Sequence, residues 1–255
     1  MKKTLSFCLA VLFLIGMMPT TVMATEIANE PEQNLWVKRI SESGEEYLIN
    51  SSTGEKVVKA FAYNEMGELV EIDLDYYLVL KNSLPQVANM QMNTATDVAL
   101  YVDEEAIEPA SEYTGYYTYS ETREYVGLGT PVKVTADMRG PGTISHFNSA
   151  TIEHSFGGEV SLTWTIKKLI QLAGSFDWHT TLSSETSNGY EYNVPAGSIG
   201  YIQFTPYLNV TIGDLYYVTT GPLVYDELYV GEVWGATPKE IAGGFADGLF
   251  ELVLK

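Results

Sequence analysis

His146, His154 and His179 are the chain's three imidazoles, so they limit its metal and acid–base chemistry. His146 and His154 are eight positions apart and would share a face of one unbroken strand, but Phe147-Asn148-Ser149 interrupts such a strand. A zinc site also needs a third ligand, which no spacing here supplies. They read as three unrelated side chains, and no metal or cofactor is expected. Nucleophilic catalysis finds no support either. There is no Gly-x-Ser-x-Gly elbow, and the one cysteine, Cys8, lies in an N-terminal segment expected to be cleaved. The 33 Asp and Glu residues permit many pairs of the kind that hydrolyse glycosidic bonds, and that abundance singles none out. Asp73-Leu74-Asp75 and Asp103-Glu104-Glu105 lack the glycine and terminal glutamate of a Ca²⁺ loop. No catalytic residue is assigned, and a secreted carboxylate-dependent hydrolase is the weakest of three functional readings.

Tyrosine is more suggestive. Tyr113, Tyr116, Tyr117 and Tyr119 crowd one short stretch, and Tyr190, Tyr192, Tyr201, Tyr207, Tyr216 and Tyr217 follow downstream. Tyrosine suits pleated, half-buried surfaces, so strand packing accounts for most of them. An exposed row can instead stack on a sugar or on another protein. Tyr113, Tyr116, Tyr117 and Tyr119 are therefore the candidate binding surface, with an unknown extracellular protein or glycan as partner. The net charge of −19, with no Lys or Arg between Lys168 and Lys239, excludes nucleic acid, because phosphate binding needs a basic footprint. It also opposes electrostatic attraction to anionic lipid.

These side chains need elements to position them. Residues 1–24 read as a cleaved export signal, with Lys2 and Lys3 before an apolar core and Val22-Met23-Ala24 before the cut. The expected location is therefore secreted. Residues 25–35 read as a flexible leader. Residues 36–82 read as a small β-rich unit with strands at 46–50, 56–63 and 68–72, and a short helix over 73–82 capped by Asp73. Residues 83–112 read as a linker, and 113–255 as the main antiparallel β domain. Thr237-Pro238-Lys239-Glu240 has the form of a capping box and predicts one helical turn. The fold class is mainly β, an antiparallel sandwich or an elongated stacked-sheet domain.

The stretch 161–212 organises that domain. Leu162, Trp164, Ile166, Ile170, Leu172, Phe176, Trp178 and Leu182 alternate with polar residues, as on a strand with one buried face. A second alternation runs from Tyr201 to Ile212. Pro195-Ala196-Gly197 supplies a turn, so 190–212 is expected to form a hairpin. Residues 165–173 admit two readings. Ile166, Leu169, Ile170 and Ala173 have helical spacing, with Gly174 as a stop, yet Ile166 and Ile170 also continue the strand alternation. The helix is slightly favoured.

Ser161-Leu-Thr-Trp-Thr-Ile166 and Trp178-His-Thr-Thr-Leu-Ser-Ser-Glu-Thr186 are Ser/Thr-rich alternating runs, and they resemble the central region of aerolysin-type β-pore-forming toxins. The segment Tyr190 to Phe204, with its Pro-Ala-Gly turn, also resembles uncharacterised exported β-rich proteins of Gram-positive bacteria. The first resemblance implies a membrane-inserting hairpin from 162–182, with Leu162, Trp164, Ile166, Phe176 and Trp178 on its lipid face. The expected function is a secreted, non-enzymatic binding or cell-envelope-associated protein. The binding reading is preferred and pore formation is the alternative.

Overall fold

The computed structural model describes residues 36–41, 44–87, 114–184, 187–221 and 224–255; of 114, 146–147, 187–190 and 224 it describes only the backbone. The expected signal, leader and most of the linker lie outside these residues. The fold is mainly β and antiparallel, as the alternation predicts. In chain order the elements are β1 (Trp36–Ile40), β2 (Glu46–Asn50), β3 (Lys56–Tyr63), β4 (Leu69–Ile72), α1 (Leu74–Ser83) and β5 (Thr114–Leu128). There follow β6 (Val132–Lys133), β7 (Met138–Arg139), β8 (Gly142–Phe147), β9 (Thr151–Glu153), β10 (Ser155–Gly158) and α2 (Trp164–Ala173). The chain continues through β11 (Thr181–Ser183), β12 (Ser187–Val194), β13 (Ile199–Gly221) and β14 (Val224–Pro238). It closes with β15 (Glu240–Ile241), β16 (Phe245–Ala246) and β17 (Gly248–Leu254).

Everything is built on β13. Its first part pairs with β17 on one side and with β6 and β7 on the other. Its second part pairs with β14 and β5. The exchange falls at Pro206-Tyr207. Pro206 has no amide to donate, and the amide of Tyr207 goes instead to the carbonyl of Asp247 at 2.9 Å. Beyond β17 the sheet continues through β3 to β2 and β1, with β4 also on β3. The described strands of 36–72 are thus neighbours of the C-terminal strand in one sheet, and the described residues from Trp36 to Lys255 belong to one compact unit.

The two faces of this sheet are covered differently. On the inner face Ile202, Phe204, Leu208, Val210 and Ile212 of β13 meet Ile144, Ile152, Tyr192 and Val194 from two small sheets, β8–β12 and β9–β11. This is the sandwich core. On the outer face α1 lays Leu74 and Tyr77 over Leu48, Val57, Leu249 and Val253. Farther along the sheet α2 lays Ile166 and Ile170 over Leu215 and Val233. Asp73 caps α1 by accepting the Asp75 amide at 2.7 Å, as its position predicts.

Two sequence expectations are corrected here. The hairpin over 190–212 does not form, because β12 pairs with β8 and not with β13. Val194 and Ile202 point into the same core, so the strands on either side of Pro195–Gly197 stack face to face. Gly200 permits the approach: a Cβ there would lie 2.6 Å from a methyl of Val194. The helical turn at 237–240 is also absent. Thr237 and Pro238 end β14, and the Thr237 hydroxyl both accepts the His179 amide at 2.9 Å and donates to its carbonyl at 2.7 Å. A tertiary partner takes the hydroxyl that would have capped a helix.

Candidate binding face

The core face of β13 outruns its second layer. Even-numbered residues line the inner face up to Ile212, beneath the small sheets. Beyond Asp214 the same face continues with Tyr216, Val218 and Thr220. The register sets Tyr216 opposite Thr118 of β5 and Tyr229 of β14, Val218 opposite Tyr116 and Glu227, and Thr220 opposite Tyr225. Directly paired residues in an antiparallel ladder share a face. Tyr116, Tyr216, Tyr225 and Tyr229 therefore stand together on one side. Tyr225 is 69% exposed, Tyr229 50% and Tyr116 48%, whereas Val218 between them is 1% exposed. Tyr216 and Tyr229 meet edge to face with centroids 5.7 Å apart.

Carboxylates fringe this face. Asp214 and Glu232 are cross-strand partners at its inner end, and Glu227 lies beside Val218. Burial pushes the Tyr229 phenol above its ordinary range, and the charges of Asp214, Glu159 and Glu232 push in the same direction. Arg123 reaches Glu232 at 3.6 Å from the edge.

The four tyrosines singled out in the sequence are not kept together. Tyr116 joins the face just described. Tyr117 lies on the opposite side, edge to face with Tyr217 at 5.1 Å. Tyr119 also turns outward and bonds the Thr211 hydroxyl at 2.9 Å; burial, reinforced by Glu121, pushes its phenol up to about 12. Tyr113 lies outside the described residues. Tyr225 and Tyr229 were missed because they lie in a Val-Tyr-Asp-Glu-Leu-Tyr run without a clean alternation. A β-bulge at Val230 shifts the register there, between Tyr229 and Gly231.

The segment 162–182, a membrane hairpin only in the pore-forming alternative, holds the short helix favoured over 165–173. Residues 164–173 form α2, capped by Thr163, whose hydroxyl faces the Ile166 amide at 3.4 Å. Leu162 packs at the edge of the α2 cluster, and Ile166 is buried in it. Trp164 is exposed at the first turn. Phe176 and Trp178 follow in a loop, where Trp178 stacks on Phe156 with centroids 5.2 Å apart and Phe176 stacks on Trp178 at 5.9 Å. The five residues are thus divided between a helix, its flank and an aromatic stack. The loop is tied down by the Trp178 indole N–H donated to His154 Nδ1 at 3.2 Å and by Ser175 bonded to Glu124. His179 faces Glu240 at 3.0 Å.

The hydrolase reading asks for two carboxylates converging in a cleft. Glu251, fully buried, is paired with Lys81 at 2.8 Å and accepts from Thr205 and Gln203. Asp247 is paired with Lys239 at 2.8 Å. Both acids hold structure: Lys81–Glu251 ties α1 to β17, and Lys239–Asp247 links the two ends of the β15–β16 hairpin. Among the described residues no group of three metal-ligating side chains converges, and no helix is long and apolar enough to cross a membrane. Comparison with protein-family models, curated proteins and solved structures gave no match.

Proposed function

We propose that this is a secreted, non-enzymatic binding protein whose partner docks on the tyrosine face of β5, β13 and β14. One observation carries the reading. Three large aromatic side chains, Tyr116, Tyr225 and Tyr229, stand exposed on the continuation of a core-type sheet face. Contiguous exposed apolar surface of this kind marks interaction sites more often than chance. Tyrosine supplies contact area with few rotatable bonds and keeps a hydroxyl for hydrogen bonding.

The test is retention on isolated cell envelope and on arrays of extracellular glycans and proteins. The wild-type chain is compared with Tyr116→Ser/Tyr225→Ser/Tyr229→Ser. The triple variant is expected to keep its thermal midpoint within a few degrees and to lose at least tenfold in binding. Equal retention of the two proteins, or retention of neither, overturns the reading. So does dye release from liposomes at micromolar protein, which would return the pore-forming alternative.

A further inference from the structure

The charge of the tyrosine face names a class of partner, and this inference rests on the binding reading above. The three strand segments that form the face, residues 114–122, 213–221 and 224–232, carry Glu121, Asp214, Asp226, Glu227 and Glu232 and no Lys, Arg or His. Asp214, Glu227 and Glu232 lie on the tyrosine side. Arg123, just beyond the β5 segment, reaches Glu232 at 3.6 Å. An aromatic ring attracts a cation to its face, and a carboxylate beside the ring adds a direct ion pair. An anionic polymer would meet only repulsion here, and a neutral one would leave the carboxylates without a counter-charge.

The spacing agrees. Positions 216, 218 and 220 stand about 7 Å apart along the strand, and neighbouring strands about 5 Å apart. An extended polypeptide presents its alternate side chains at that same interval of about 7 Å. Such a chain lying along β13 can bring its ammonium or guanidinium groups to Tyr229, Tyr116 and Tyr225, which stand at the levels of 216, 218 and 220, with Asp214 near the Tyr229 end and Glu227 at the level of Tyr116.

We infer that the face formed by Tyr116, Tyr216, Tyr225 and Tyr229 with Asp214 and Glu227 binds an extended lysine- or arginine-rich polypeptide. The full chain is titrated with fluorescein-labelled dodecalysine and dodecaarginine, and in parallel with dodecaglutamate and a neutral chitohexaose. Both cationic peptides are expected to bind, more weakly as salt rises, and dodecaglutamate is not. Tyr225→Ser/Tyr229→Ser should weaken peptide binding about tenfold, as loss of two cation–π contacts requires. Asp214→Asn/Glu227→Gln should weaken it severalfold and flatten its salt dependence. Glu65→Gln/Glu191→Gln removes two exposed acids elsewhere and should change nothing. Equal losses from both acid pairs, or cationic binding indifferent to the tyrosines, would show attraction to net charge alone and overturn the inference. Chitohexaose bound through the same tyrosines, with no peptide binding, overturns the cationic partner while leaving the binding face standing. Binding of neither probe overturns the cationic partner, and the envelope and array measurement then decides whether the face binds anything.

Discussion

At the scale of single residues, His154 shows how a histidine without catalytic company still sets a pH response. Its Nδ1 accepts the Trp178 indole N–H, so that nitrogen must be unprotonated. Burial lowers its pKa, Lys167 lowers it further, and Glu153 opposes them. A folded-state pKa below the unfolded value of about 6.5 means that the unfolded chain takes up the proton first as pH falls. The contribution of the neutral ring is therefore complete above about pH 6.5 and is lost as pH drops through the lowered folded value. The wild-type thermal midpoint should fall more steeply between pH 6.5 and pH 5 than that of His154→Gln. Parallel midpoint-against-pH curves would refute the role of this ring. By sequence alone His154 is one of three unrelated histidines. Its partner Trp178 is 24 positions away, and no local pattern joins the two.

At the scale of elements, α2 illustrates competition between two periods. Residues 162–182 satisfy a strand alternation, and 166–173 also satisfy a helical stripe. The helix is observed because the sheet beneath it is shaped to receive it. Gly235 flattens the outer face of β14 beneath it. A Cβ on Gly235 would come within 2.7 Å of both Ile170 and Trp178. Gly235→Val should therefore destabilise the protein by about 1–3 kcal/mol through overpacking. It should also lift α2 and its aromatic loop off the sheet. Urea denaturation followed by tryptophan fluorescence reads both effects; an unchanged midpoint would mean that α2 is not seated on β14. Thr165→Ala, at an exposed helix position, is the control expected to stay within about 0.5 kcal/mol. Gly235 is visible in the sequence, but its purpose is not, because it depends on a helix more than 60 residues earlier.

At the scale of the whole molecule, the sheet has no seam at the expected linker. β17 lies between β13 and β3, and Leu249 and Val253 are covered from α1's side. A fragment of residues 113–255 would leave β17 as an uncovered apolar edge, which promotes edge-to-edge association. Such a fragment is expected to aggregate or stay unfolded, whereas the intact chain unfolds in one cooperative transition. Circular dichroism and size-exclusion chromatography of the two decide the matter. A folded, monomeric fragment would show that 113–255 is an independent domain.

Local chemistry predicts several elements where they are found, and it fails at Thr237–Glu240, where a tertiary partner takes the capping hydroxyl. β2, β3 and α1 with its Asp73 cap are found where alternation, turn residues and capping place them. Each of those signals acts within a few residues, so the amino-acid order suffices to read it. Strand partnership is different. Pro195-Ala196-Gly197 looks like a hairpin turn, and its flanking strands alternate correctly, yet β12 pairs with β8 and stacks on β13. Alternation states which side chains are buried and is silent on whether a strand's neighbour lies beside it or across a core. The candidate face shares that origin. Composition marked the tyrosines as a group, but Tyr116 parted from Tyr117 and Tyr119, and joined Tyr216, Tyr225 and Tyr229, through the register of β5 and β14 on β13. Those pairings are long-range hydrogen bonds, which only the assembled sheet determines.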